Sequence, residues 1–98
     1  MTTVAATILE QLGGSRFIAM TGAKDFVGSS ESLMFRLPAG AKGRINKVYI
    51  TLEPYDTYTL GCFNVRGASV TTVAIESMLY ANQLQTAFTR MTGLDTHL

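Results

Sequence analysis

The 98-residue chain has no tryptophan, one cysteine, one histidine and two prolines, and only 15% of its residues are charged. Each scarcity excludes something. A single thiol, Cys62, permits no intrachain disulfide and no multi-cysteine metal site, which fits a reducing compartment. The one imidazole, His97, stands next to the last residue, where an exposed tail residue is expected and a triad has no oriented base. The acids at 10, 25, 31, 53, 56, 76 and 95 form no D-x-D, H-x-x-E or H-E-x-x-H spacing, so metal-assisted hydrolysis has no visible scaffold. No stretch approaches the ~20 apolar residues of a membrane span. The start, MTTVAATILEQLGG, has neither the basic residues nor the unbroken apolar run of a signal peptide. The expectation is a protein made and kept in a cytoplasm, with no membrane partner.

What is present is an ordinary globular composition. Apolar residues make up 47% of the chain and the formal charge is +1, so no global field draws it to polyanions, and any nucleic-acid site must be local. Without repeats, low-complexity tracts or linkers, residues 1–98 read as a single domain. The low surface charge points to apolar surface covered by a second copy or a partner.

Periodicity gives the elements. In TTVAATILEQLGG, Val4, Ala5, Ile8, Leu9 and Leu12 recur at helical spacing, with Thr2 or Thr3 as N-cap and Gly13 at the end. RFIAM (16–20), apolar on both parities, reads as a strand buried on both faces. A brief extended piece is expected at 25–27. Leu33, Phe35 and Leu37 alternate with Ser32, Met34 and Arg36, and Val48, Ile50 and Leu52 alternate with Lys47, Tyr49 and Thr51. Turns at Pro54–Asp56 and Gly67 join strands 58–65 and 70–76 into a meander over 45–76. Tyr80, Leu84, Ala87, Phe88 and Met91 form the stripe of a C-terminal helix, with Ser77 as N-cap, Gly93 as terminator and Leu94 returning on Phe88 in a Schellman closure. The order predicts an α+β fold: an N-terminal helix, an antiparallel sheet of four to five strands, and a C-terminal helix packed on the sheet.

The segments LEQLGGSRFIAM, MTGAKDF, FRLPAGAKGRIN, ITLEPYDTY, YANQL and FTRMTGLDTHL together resemble a family of small uncharacterised proteins encoded by bacteriophages and prophages of Gram-negative bacteria. The resemblance implies a setting, the cytoplasm of the bacterial host, and brings no activity with it. Three places depart from the pattern. AKGRIN stands where AK-x-G-I-N is usual, TLGCFNV replaces a more acidic strand, and Asn82 replaces an Asp.

Two candidate surfaces remain. Arg36, Lys42, Arg44 and Lys47 fall within twelve residues around the loop 36–47, with Tyr49 and Tyr55 nearby for base stacking, although Glu31, Glu53 and Asp56 are close in the chain. TGAK and AGAKGR lack the spacing of a phosphate loop, and no helix follows AGAKGR. Tyr49, Thr51, Phe63 and Val65 lie off the core parity and would give the sheet an apolar second face, a candidate protein interface. An enzymatic reading survives only as a site assembled across subunits around Thr21, Lys24 and Asp25. The sequence is therefore read as a non-catalytic protein without cofactor or metal. It acts by binding another protein, self-associates, and modulates host functions or defence; the alternative is a nucleic-acid-binding module using the basic loop.

Overall fold

The structure, a computed structural model, describes residues 2–38 and 40–96; His97 lies outside the described residues. Helix α1 (Thr3–Leu12) starts at Thr2, whose hydroxyl accepts from the Ala5 N–H at 3.2 Å and donates to the Ser29 carbonyl at 2.5 Å. The cap thus fixes the helix to the sheet as well as starting it. The buried side is Ala5, Ile8 and Leu12. At Gly28 a Cβ would lie 2.7 Å from that of Ala5, so two small residues set how closely the helix approaches the first strand.

RFIAM is not a strand. It forms most of a second helix, α2 (Ser15–Thr21), after the Gly13–Gly14 break. Apolar residues on both parities suit a short helix as well as a buried strand. Here only Phe17 and Thr21, one turn apart, are buried, and Arg16, Ala19 and Met20 all favour helix.

Five strands follow: β1 (Lys24–Gly28), β2 (Ser32–Arg36), β3 (Lys47–Leu52), β4 (Tyr58–Arg66) and β5 (Ser69–Leu79). They pair antiparallel in chain order, so the meander expected over 45–76 extends across the whole sheet. The cross-strand rows Leu33–Ile50–Leu60 and Phe35–Val48–Cys62 lie on the face that the helices cover, and all six residues are buried. Asp56 at φ 59° closes the β3–β4 turn, with Glu53 N–H donating to the Thr57 carbonyl at 2.8 Å.

β5 runs farther than expected, and this moves the last helix. Ser77, expected as its N-cap, is still in the strand, and the exposed Tyr80 precedes the helix instead of joining its buried stripe. The alternating, β-branched run VTTVAIE carries the extended conformation forward. A 3₁₀ turn at Ala81–Gln83, tied by Tyr80 N–H to Gln83 Oε1 at 2.8 Å, then leads into α3 (Leu84–Thr92). Leu84, Ala87 and Phe88 are its buried stripe.

The ends of α2 and α3 are built alike, from the sequences FIAMTGA and FTRMTGL. In each, a buried Thr donates to the Phe carbonyl four residues back (Thr21 to Phe17, 2.8 Å; Thr92 to Phe88, 2.7 Å). The same hydroxyl accepts the N–H two residues on, from Ala23 and Leu94, each at 3.2 Å, across a left-handed Gly. Leu94 therefore closes α3 through the Thr92 hydroxyl, and its partly buried side chain packs against the core that contains Phe88. The match is too short to be a structural repeat and was not legible as one.

The two phenylalanines that start these ends meet edge to face, with centroids 5.1 Å apart. Phe35 of β2 lies 5.4 Å from Phe17 and 6.3 Å from Phe88, and Phe26 of β1 completes the cluster 5.4 Å from Phe35. Among the described residues no helix is long and apolar enough to cross a membrane. Phe88→Ala removes a wholly buried ring from this cluster and is expected to lower the unfolding free energy by about 3–5 kcal/mol in urea titration.

Candidate functional site

Both helices that pack on the sheet, α1 and α3, lie on one face, so the other is open. Met34, Tyr49, Gly61 and Ile75 form one cross-strand row on it; Lys47, Phe63 and Thr72 form a second, and Val65 opposite Val70 a third. The four residues expected as an interface, Tyr49, Thr51, Phe63 and Val65, are all on this face. Phe63 leans back along its own strand, because a Cβ on Gly61 would lie 2.8 Å from its ring. Met34, Lys47, Tyr49, Phe63, Val65 and Val70 line a shallow apolar depression of about 240 Å³. The surface in and around it is apolar and open: Val27, Val70 and Ile75 are 56%, 65% and 62% exposed. The strand β5 that carries Val70 and Ile75 is an edge of the sheet, with no partner on its outer side among the described residues, and its residues were not among the expected interface set. Its β-branched, nearly charge-free sequence was the available signal.

The cations converge on one end of the sheet. Lys24 pairs in register with Arg36 and Arg36 with Lys47, while Arg66 ends β4 three residues beyond Phe63, the partner of Lys47. Arg44 joins them from the 3₁₀ turn Lys42–Arg44, making five of the eight Lys and Arg residues. A cleft of about 490 Å³ runs between Lys24, Arg36, Arg44 and Arg66, floored by Leu37 and Ile45 and flanked by Asn46 and Asn64. Asn46 is held in place by two bonds to Val65, accepting its N–H at 2.8 Å and donating to its carbonyl at 2.9 Å.

Of the residues expected as a nucleic-acid site, the structure brings Arg36, Arg44 and Lys47 to this end. Lys42 turns away: its Nζ donates to the Arg90 carbonyl at 3.4 Å and its stem covers Gly93, so it caps α3. Tyr49 lies on the open face and its hydroxyl accepts from Ser32 at 3.4 Å. Tyr55 sits in the β3–β4 turn, at the opposite end of the sheet from Lys47, and does not join the cations. Lys24 and Arg66 were not foreseen, because they reach the cleft only through the pairing of β1 and β4 with their neighbours.

The acids that seemed to counter the basic loop are separated from it by the fold. Glu31, Glu53 and Asp56 occupy turns at the far end, where Leu52 N–H bonds the Glu31 carbonyl at 2.7 Å. Asp25 alone stays close, 3.5 Å from Arg36. Among the described residues the other ion pair joins Arg90 to Glu76, so Lys24, Arg44, Lys47 and Arg66 have none.

Gly43 positions Arg44. It adopts φ 60°, and a Cβ there would lie 2.6 Å from Cγ1 of Val73, which pins the turn against the bulge of β5. Arg44 follows at φ 59° and points its side chain outward.

For the remaining candidates the setting is structural. Thr21 spends its hydroxyl on the end of α2, which removes it from any site with Lys24 and Asp25. Cys62 is wholly buried in β4 and burial pushes its thiol up to about 12. Among the described residues no three of His, Cys, Asp and Glu come together. Comparison of the chain with protein-family models, curated proteins and solved structures found no match.

Three measurements follow from this geometry. Gly43→Ala meets both a left-handed backbone and Val73, and is expected to cost about 1–3 kcal/mol in thermal or urea unfolding. The folded thiol of Cys62 keeps its proton after the unfolded one has lost it, so unfolding gains from ionisation above pH 9.0. Stability is therefore expected to fall between pH 9.0 and about 12, with a smaller fall in Cys62→Ala, and native protein at pH 8 should not react with a thiol reagent until urea unfolds it.

Proposed function

We propose that this chain is a non-catalytic phage accessory protein that works by binding protein, and that the first protein it binds is a second copy of itself. The observation that carries this reading is the open sheet face. An antiparallel sheet with one solvated side normally alternates apolar-in with polar-out. Here the outward positions include Val27, Met34, Tyr49, Phe63, Val65, Val70 and Ile75, with the charged residues gathered in the row that Lys47 shares with Arg36 and Lys24. Such a surface is stable in water chiefly when something covers it.

A second copy suits it because an apolar patch is self-complementary: apolar rows meet apolar rows about a two-fold axis, and the cations of the patch are gathered at one end of the sheet. The free edge of β5 adds main-chain donors and acceptors at the rim of the same patch. The resemblance to phage and prophage proteins supports a host-cell cytoplasmic setting, with host functions or defence as the target once the pair has formed.

Sedimentation equilibrium tests this directly. The parent chain is expected to sediment as a dimer, and the double variant Tyr49→Lys, Ile75→Lys as a folded monomer, since both side chains are exposed, whose thermal midpoint no longer rises with protein concentration as the parent's does. A parent chain that stays monomeric at every concentration overturns the reading.

A further inference from the structure

We infer that the cleft at the basic end of the sheet is a binding site for the phosphodiester backbone of nucleic acid, read without regard to base sequence, through Lys24, Arg36, Arg44 and Arg66 of the cleft and Lys47 of the groove that adjoins it at Arg36. This goes beyond self-association. The cleft is floored by Leu37 and Ile45, which belong to the helix-covered side, while Arg36 and Lys47 lie in the row of the open face that Phe63 continues, so the cleft adjoins that face at one end of the sheet.

Folding does not account for the cluster. Lys24, Arg36 and Lys47 are consecutive register partners on three adjacent strands, and like charges directly opposite one another weaken a sheet. Asp25 relieves Arg36 alone. A chain with eight cations has placed five of them at one end, and four of those five have no ion pair among the described residues. An anion between them turns mutual repulsion into shared attraction.

The shape of the cluster selects the anion. Strands lie ~4.8 Å apart, so cations on the ends of four neighbouring strands form a row about 14 Å long. A single phosphate occupies one step of such a row, whereas a polymer of phosphates engages all of it. Three of the five cations are arginines, whose planar fork binds two oxygens of one phosphate group. The site is a concave slot and not a flat basic plane, which fits a strand better than a membrane surface. Asn64 adds an uncharged amide that lines the slot and makes no side-chain hydrogen bond within the described residues.

Fluorescence anisotropy with a labelled mixed-sequence oligonucleotide, single-stranded and as a duplex, provides the test. Three to four neutralised phosphates predict a log–log salt slope of about −2 to −3 on the single strand. The double variant Arg44→Glu, Arg66→Glu is expected to lose binding at least tenfold. Arg16→Glu on α2, outside the cleft, changes the charge of one residue and is expected to leave binding near the parent value. Circular dichroism confirms that each variant stays folded, and the exposure of all three arginines makes this the expected result. The inference is overturned by the absence of binding at low salt. It is equally overturned if Arg16→Glu loses as much as the cleft variant, if millimolar inorganic phosphate displaces the oligonucleotide completely, or if phosphatidylglycerol vesicles bind and oligonucleotides do not.

Discussion

The contact on which this fold depends is the meeting of Phe17 and Phe88 over Phe35. These three rings come from α2, α3 and β2, elements far apart in the chain, and all are wholly buried. Each helix delivers its phenylalanine at a fixed height because the helix ends in the same way one turn later. A buried threonine bonds back to that phenylalanine's carbonyl, and a left-handed glycine turns the chain out. Buried hydroxyls require partners, and these two have both a donor and an acceptor role filled by the backbone. The cap therefore fixes not only where the helix stops but where its ring sits in the core.

Placing both sheet-packing helices on one face has a consequence for the other. The six central core residues on β2, β3 and β4 all point towards the helices. Their neighbours must then point away, and among them Met34, Tyr49 and Phe63 stand beside the polar Ser32, Arg36, Lys47, Thr51 and Thr59. A sequence that only had to fold would put polar residues at all of these positions. Tyr49, Phe63 and Ile75 are thus poorly explained by the stability of one chain and well explained by a surface that is covered in use.

The alternation of β2, β3 and β4 made the sheet, its inward face and its apolar outward face legible from the sequence, since a period of two leaves little freedom in which side chain faces where. RFIAM was misread because five residues are too few for either period to assert itself; what resolves it is tertiary, the burial of Phe17 and Thr21 together. The start of α3 was misplaced because Ser77 is a competent cap in isolation, while the pairing of β5 with β4 holds it extended. The basic cleft was half legible. The loop 36–47 advertised its cations, but Lys24 and Arg66 enter only when strand pairing sets them beside Arg36 and Lys47, and Lys42 leaves because α3 ends within its reach.

The distribution of charge makes the same point about distance in the chain and distance in space. Glu53 and Asp56 stand within ten residues of Lys47, close enough that they seemed to cancel the basic loop. Yet a strand carries its two ends apart by ~3.3 Å per residue, so β3 alone moves these acids to the opposite end of the sheet from Lys47. At that separation, with solvent between, their attraction for the basic end is largely screened at physiological salt, where the Debye length is ~8 Å. A meander with acidic turns at one end and basic strand ends at the other is therefore strongly polar although its net charge is only +1. Net charge describes how such a chain behaves in bulk, and the local field at the cleft is set by which strand ends lie side by side.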